Sequence, residues 1–236
     1  MEERAFGAIH QAEDSWFYHS RSFAIQRVLS GFKSHHERIC EVGAGYGAMC
    51  LALRRFGSVT AFEPDTKARE ICKEKCDAVF DGSELSELVK SHRGSFSLVA
   101  ILDVIEHVED DVGFARELAE LLEPSGHLLV TVPAYQWLWS ELDVLAMHYR
   151  RYNKAKIIKV LESAGFEIEY ASYWNAMLLI AAAIVRKGTG KPGYSAFSMP
   201  RWIDRLFFEW VRLESRLIPR LTLPFGTSVF VYARKK

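Results

Sequence analysis

Four carboxylates and one glycine-rich turn recur at a single kind of position in this chain. Glu41 stands two residues before the first glycine of "GAGYGA", Glu63 closes "SVTAFE", Asp81 closes "AVFD" and Asp103 closes "FSLVAILD". Each lies at or near the end of an apolar, strand-like run. A parallel sheet would therefore bring all four to one edge, where open α/β sheets bind ligands. The turn, with Gly43, Ala44, Gly45 and Gly47, lets a ligand approach bare backbone. Carboxylates there can accept from ribose hydroxyls or an ammonium group, and they repel phosphate. Two histidines, His107 in "DVIEH" and His148 in "MHYRRY", suit removal of a hydroxyl proton because imidazole titrates near neutrality.

The elements that must position these groups alternate strand with helix. Strands are expected at Arg38–Val42, Ser58–Phe62, Ala78–Phe80, Phe96–Leu102 and His127–Val132, then at Phe166–Tyr173 and Ser228–Ala233. The last two alternate in polarity and read as an antiparallel edge. A leading helix runs from about Asp14 to Leu29. Another carries Val112, Ala115, Leu118 and Leu122 and must stop near Pro124. A third starts at the N-cap Asn153 and ends at Gly165. Some fifty residues separate the sixth and seventh strands, too many for a plain connection, so they form an insertion. Within it, Ile203, Leu206, Phe207, Trp210, Leu213 and Leu217 make an apolar stripe opposite Arg205, Glu209, Arg212 and Arg216.

Composition excludes several classes. Thirty Lys and Arg balance thirty Asp and Glu, which leaves no electrostatic footprint for nucleic acid. Cys40, Cys50, Cys72 and Cys76 show no metal-ligand spacing and read as reduced cytosolic thiols. The polar start "MEERAFGAIHQAEDSW" is unlike a signal peptide, and the run Ala176–Val185 is far short of the ~20 residues of a membrane helix. A cytoplasmic protein acting on a small molecule is expected.

The turn alone fits both dinucleotide and nucleoside ligands; no Gly-Lys-Ser/Thr follows, so it is not a Walker A loop. Glu41 discriminates. A dinucleotide would set its pyrophosphate at this strand end, beside a carboxylate that repels it. S-adenosylmethionine carries no phosphate and presents an α-amino group. Glu63, twenty residues after Gly43, suits a ribose diol in either ligand, and Asp81 could accept from an adenine amino group. An NAD-linked oxidoreductase and a non-catalytic cofactor-binding scaffold remain as alternatives.

"EVGAGYGAM", "VTAFEP", "FSLVAILDVIEHVEDD" and "LEPSGHLLVTVP", spanning about residues 36–175, resemble the motifs of class I S-adenosylmethionine-dependent methyltransferases. The flanks "WFYHSR", "HYRRYNKAKIIKVLESAGF" and "LPFGTSVFVYARK" resemble a bacterial subgroup of that family. The resemblance implies a doubly wound α/β, Rossmann-like sheet of seven strands in the order 3-2-1-4-5-7-6, its seventh strand antiparallel. It implies one methyltransferase domain over 1–236: an N-terminal lid helix in 1–35, a cofactor-binding core in 36–174, a helical insertion in 175–224 and a final strand in 225–236. S-adenosylmethionine would be the cofactor and S-adenosylhomocysteine the product. The cofactor set would be Glu41, Gly43, Ala44, Gly45, Gly47, Glu63, Pro64, Asp81, Gly82, Asp103 and Val104, with Trp16 and Arg21 from the lid.

The acceptor side is expected among loops beyond the fifth strand. His148 and His107 are the candidate bases; Trp137, Trp139, Tyr149, Arg150 and Tyr152 are expected to line the acceptor pocket, with Arg150 and Arg151 able to clamp an anion. Asp103, Glu106 and His107 have a spacing that could face a divalent ion, as in quinone-type O-methyltransferases that this region resembles. The reading adopted has no metal, with Glu106 and His107 starting or capping the next helix. The acceptor is expected to be a partly hydrophobic molecule, glycan- or lipid-linked, methylated on a hydroxyl rather than an amine. The insertion helix is expected to pack on the domain or on a second copy, with peripheral membrane contact as the minor alternative.

Overall fold

The computed structural model describes residues 16–32, 36–180 and 201–236, with the side chains of 16, 17, 201–204 and 207 set aside. The side chains of Trp16, Ile203 and Phe207, and the loop 186–200, thus lie outside the described residues. Seven strands form one sheet: β1 (Arg38–Val42), β2 (Ser58–Phe62), β3 (Ala78–Val79), β4 (Phe96–Leu102), β5 (Leu122–Pro133), β6 (Phe166–Trp174) and β7 (Ser228–Lys235). Their order is β3-β2-β1-β4-β5-β7-β6. The first five run parallel, and β7 lies antiparallel between β5 and β6. The family order therefore holds. The expectation of a half-exposed edge pair does not, because β7 is an inner strand buried from Ser228 to Ala233. Of these two strands only β6 is an edge, and β3 forms the opposite one.

Period-two alternation decides which residues face which layer. Along β1, Cys40 and Val42 enter the apolar layer that also holds Leu118 and Leu161, whereas Ile39 enters the layer with Leu53 and Leu129. Glu41 shares the parity of Ile39, so this carboxylate projects among apolar groups. Helices cover that face: α1 (Trp16–Gly31), α2 (Cys50–Leu53) and α3 (Thr66–Cys72). The opposite side carries α4 (Leu85–His92), α5 (Asp111–Leu121) and α7 (Lys154–Ser163). Between β5 and α7 lies α6 (Glu141–Leu145), a helix the sequence reading did not anticipate. Short polar residues start several helices: Asp65 accepts from the Ala68 amide, Asp110 from Gly113 and Asn153 from Lys156. Among the described residues, no helix is long and apolar enough to cross a membrane.

The insertion helix, α8 (Arg201–Leu217), packs on α1 with an unexpected face. Leu206 and Leu213 are 67% and 53% exposed, and Trp210 and Leu217 are exposed beside them. Val211, Glu214, Ser215 and Ile218 are buried instead. Polar contacts choose this face. Trp174 Nε1 donates to Ser215 Oγ at 3.0 Å, and the Ala176 amide donates to Glu214 Oε2 at 3.0 Å. The described members of the predicted stripe thus lie on the outward face, not the packed one.

Candidate functional site

The β1–α2 turn shapes a cleft between α1 and the sheet edge. Gly43 has φ +74°, and a Cβ there would stand 2.6 Å from Val104 Cγ2. Only glycine lets this turn fold against the residue after Asp103. Glu41, Gly43, Ala44, Gly45, Glu63 and Arg21 line the cleft together, as anticipated from sequence. Tyr18 adds wall from α1, and so do Met49 and Leu102, which sequence reasoning did not single out. Gly47 lies behind the cleft: its Cβ would stand 3.0 Å from Cys72 Sγ.

Glu41 is buried, and its Oε2 has no hydrogen-bond partner. Burial pushes its carboxyl up to about 8, and hydrogen bonding from Cys50 only partly opposes this. An orphaned carboxylate oxygen inside an otherwise apolar layer is costly unless a donor arrives. An ammonium group is such a donor, so the residue fits the α-amino group of S-adenosylmethionine. Glu63 is held by two amides: Gly45 N donates to Oε2 at 2.7 Å and Asp65 N to Oε1 at 2.9 Å. Those bonds fix its position at the strand end and leave further acceptor lone pairs for ribose hydroxyls. Burial raises the Glu63 carboxyl above its ordinary value, opposed by the same two amides.

The remaining predicted cofactor residues divide. Asp103, at φ +60°, accepts from Thr131 Oγ1 at 3.0 Å and pairs with Arg21 at 2.9 Å. Arg21 also donates to Thr131 at 2.7 Å, so it and Asp103 brace α1 against the ends of β4 and β5. Asp81 is largely exposed and meets Arg69 only at 3.7 Å. Arg69 instead donates to the carbonyls of Gly82 at 2.7 Å and Glu63 at 3.2 Å, tying the β2 and β3 ends together around Pro64.

Beyond Asp103 a second set of groups gathers. Glu106, His107 and His148 each offer an atom, all within 4.8 Å of one another. Asp103 is not in this set: the Asp103–Glu106–His107 spacing, weighed from sequence and not adopted as a metal site, is not the grouping the fold makes. Glu106 and His107 lie in a 3-10 turn, and Asp110 caps α5, which corrects the expectation that they start or cap that helix. Glu106 is 0% exposed with both carboxyl oxygens unpartnered. Burial, then the Asp103 charge, raises its carboxyl well above the ordinary value. Burial, then His148, lowers the His107 imidazole below its ordinary value.

His148 has a dedicated partner that sequence reasoning missed. Its Nδ1 lies 2.9 Å from Asp143 Oδ1, and Arg151 Nε donates to the same oxygen at 2.7 Å. Burial alone would raise the Asp143 carboxyl, but bonds from His148 and Arg151 outweigh it and hold it well below the carboxylate range. An ionised Asp143 requires the proton on Nδ1, which leaves the His148 Nε2 lone pair free to act as a base. The Ser140 backbone N–H and hydroxyl also donate to Asp143, at 2.8 and 3.1 Å. The "SELD" spacing of that cap was the one available signal.

Three acceptor-side expectations need correction. Tyr152 is fully buried and its hydroxyl donates to Asp111 at 3.0 Å, so it does not wall a pocket. Arg150 spends its guanidinium on Asp111 at 3.0 Å and the Glu109 carbonyl at 2.7 Å. Arg151 is committed to Asp143, so neither arginine clamps an anion. Trp137 and Tyr149 are exposed, with Val144, Leu145 and Met147 exposed nearby in the chain, and Tyr149 and Met147 flank the two histidines in a shallow pocket. Trp139 is half-buried.

The family described as Methyltransferase domain matches residues 17–171. A ubiquinone biosynthesis O-methyltransferase of Rhodopseudomonas palustris (strain BisA53) is 26% identical over 116 residues, 48% of this chain and 46% of that protein. The protein of the same name from Xanthomonas axonopodis pv. citri (strain 306) is 24% identical over 167 residues, 63% of this chain and 70% of that one. The chain thus matches under half the length of the first of these relatives. A crystal structure of an S-adenosylmethionine-dependent methyltransferase from Thermotoga maritima superposes with a TM-score of 0.62 at 14% identity, covering 99% of this chain and 97% of that one. These findings end the NAD-linked alternative, against which Glu41 already argued. The chain belongs to the methyltransferase-domain family, in its class I, S-adenosylmethionine-dependent form.

Proposed function

We propose that this protein moves the methyl group of S-adenosylmethionine to a hydroxyl of a small molecule that carries an apolar portion. The Asp143–His148 pair carries the choice of oxygen over nitrogen. A base held in the right tautomer is needed when the acceptor arrives with a proton to lose, as a hydroxyl does. The names of the two ubiquinone-pathway relatives support the same choice. The exposed side chains of Met147 and Tyr149, which line the shallow pocket with His148, favour an aromatic or lipid-linked acceptor.

When bound, S-adenosylmethionine supplies a methyl group already activated on a sulfonium. Glu41 would hold its ammonium group, Glu63 its ribose, and the amide-rich turn at Gly43–Gly45 its chain. Arg21, pinned by Asp103 and Thr131, keeps α1 closed over the cleft. His148 Nε2 takes the acceptor's hydroxyl proton, and Asp143 stabilises the imidazolium that results. Glu106, buried and neutral, adds no negative charge that would hold the acceptor back. Alignment of acceptor and methyl group supplies the larger share of the acceleration, roughly 7–11 kcal/mol where geometry is good.

The test is production of S-adenosylhomocysteine from S-adenosylmethionine with phenols, prenylated phenols and matched amines. Turnover of phenols, improved by an apolar tail, is the expected result; turnover confined to amines would overturn the choice of oxygen.

Glu41 also predicts a pH dependence of cofactor affinity. Its carboxyl titrates at about 8 in the free protein, so below that pH an ammonium ligand must expel a proton. Affinity should rise up to about tenfold per pH unit from pH 6 towards 8, with nearly one proton released at pH 7. It should fall again once the ligand's own α-ammonium, with a pKa of about 8, deprotonates. Calorimetric titration in buffers of different ionisation enthalpy reads the proton directly. A pH-independent affinity with no proton release would remove Glu41 from the ammonium site.

A further inference from the structure

Cysteine spacing along the chain suggested no metal site, yet the fold brings three thiols together. Cys72 ends α3, Cys76 follows one turn later, and Cys50 arrives from the start of α2. Their Sγ atoms all lie within 4.8 Å of one another, and Cys72 and Cys76 are 3.2 Å apart. All three are free and buried. Zinc–sulfur bonds of about 2.3 Å in a tetrahedron place sulfurs about 3.7 Å apart, inside the range these three span.

The surroundings carry a second observation. Glu41, whose buried Oε2 lacks a partner, is hydrogen-bonded to the Cys50 thiol. A hard oxygen donor therefore stands beside the Cys50 sulfur, at the margin of a group of soft sulfur donors that zinc-type ions accept. Ordinary core packing would also place cysteines inside, as small apolar groups. It does not require three sulfurs to meet within 4.8 Å of one another.

We infer that Cys50, Cys72 and Cys76 form a binding site for a thiophilic, zinc-type divalent cation behind the glycine turn. The site would tie α3 to α2 directly beneath Gly47, whose missing side chain leaves room for Cys72. Because Glu41 serves both the cleft and this cluster, metal and cofactor would share one carboxylate. Cys40 points into the other layer of the sheet and takes no part.

Cobalt(II) is the probe, because tetrahedral thiolate coordination gives visible bands and a sulfur-to-metal charge-transfer band. The full chain, reduced with a phosphine, is titrated with cobalt and then with zinc, without any cofactor or acceptor. One equivalent should develop both bands, and zinc, the tighter binder, should erase them. Cys76→Ser and Cys50→Ser should each weaken binding at least tenfold, while Cys40→Ala should not, with circular dichroism confirming that each variant is folded. Absence of the charge-transfer band in the unmodified protein would overturn the inference, whatever the variants do. Equal affinity in folded Cys76→Ser would overturn it too. Neither result depends on methyl transfer, so failure here leaves that function standing, and the converse holds.

Discussion

Glu41→Gln should weaken S-adenosylmethionine binding by roughly 100-fold at pH 7 while leaving the protein folded. An ammonium ion paired with a buried carboxylate is worth about 4 kcal/mol against the uncompensated charge left when one partner is removed. The free carboxyl titrates at about 8, so ionising it at pH 7 costs about 1.4 kcal/mol. About 2.6 kcal/mol remains, close to two decades in affinity. Glutamine keeps the shape and removes only the charge. The same change should alter the pH dependence of stability, and the sign can be worked out. The folded-state pKa is raised above the ordinary 4.5, so between that value and about 8 the folded chain holds more protons than the unfolded one. Stability from this group is fully present below pH 4.5 and is lost as pH rises through 8. Glu41→Gln should flatten that decline, so its melting temperature near pH 8 should match or exceed that of the parent. Calorimetric titration and thermal melts across pH check both halves. Affinity within threefold of the parent would sink the assignment of the ammonium site.

His148→Gln should lower turnover on a hydroxyl acceptor by about 10²–10³-fold without changing cofactor affinity. Glutamine preserves much of the volume and keeps a polar contact with Asp143, but it cannot take a proton. Asp143→Asn should be nearly as damaging, because it removes the acceptor that keeps the proton on Nδ1. It should also release Arg151, whose Nε and Nη2 both donate to that carboxylate, at 2.7 and 3.0 Å. Some loss of stability is therefore expected for Asp143→Asn and little for His148→Gln. If histidine is the base, raising the pH should rescue part of the His148→Gln rate on acidic phenols, which ionise without help. Unchanged turnover in His148→Gln, with cofactor affinity intact, would reduce His148 to a lining residue.

The two predictions differ in how far they could be read from sequence. Glu41, Gly43 and Gly45 were legible because strand alternation and a glycine turn are local patterns. Asn153 was legible as a cap for the same reason, bonding the Lys156 amide three residues ahead. Asp143 was not legible. It meets His148 through a turn of the chain that includes an unanticipated helix, and nothing in "ELDVLAMH" says which side chain closes on which. Tyr152 and Arg150 misled because aromatic and basic residues in a loop suit a pocket and a brace equally well. Their partner, Asp111, lies some forty residues upstream. The α8 stripe misled in the same way: periodicity defines two faces, and the tertiary contacts of Ser215 and Glu214 choose between them.

By itself, then, the sequence determined the doubly wound sheet, the place where a ligand meets bare backbone, and the sign of the charge waiting there. Short-range steric and hydrogen-bonding rules suffice for these, since each involves residues within a turn or strand of one another. Tertiary structure decided how strongly Glu41 holds its proton, which carboxylate orients His148, and that three cysteine sulfurs meet. Those properties depend on desolvation and on groups brought together from distant stretches of chain, and no local pattern records either.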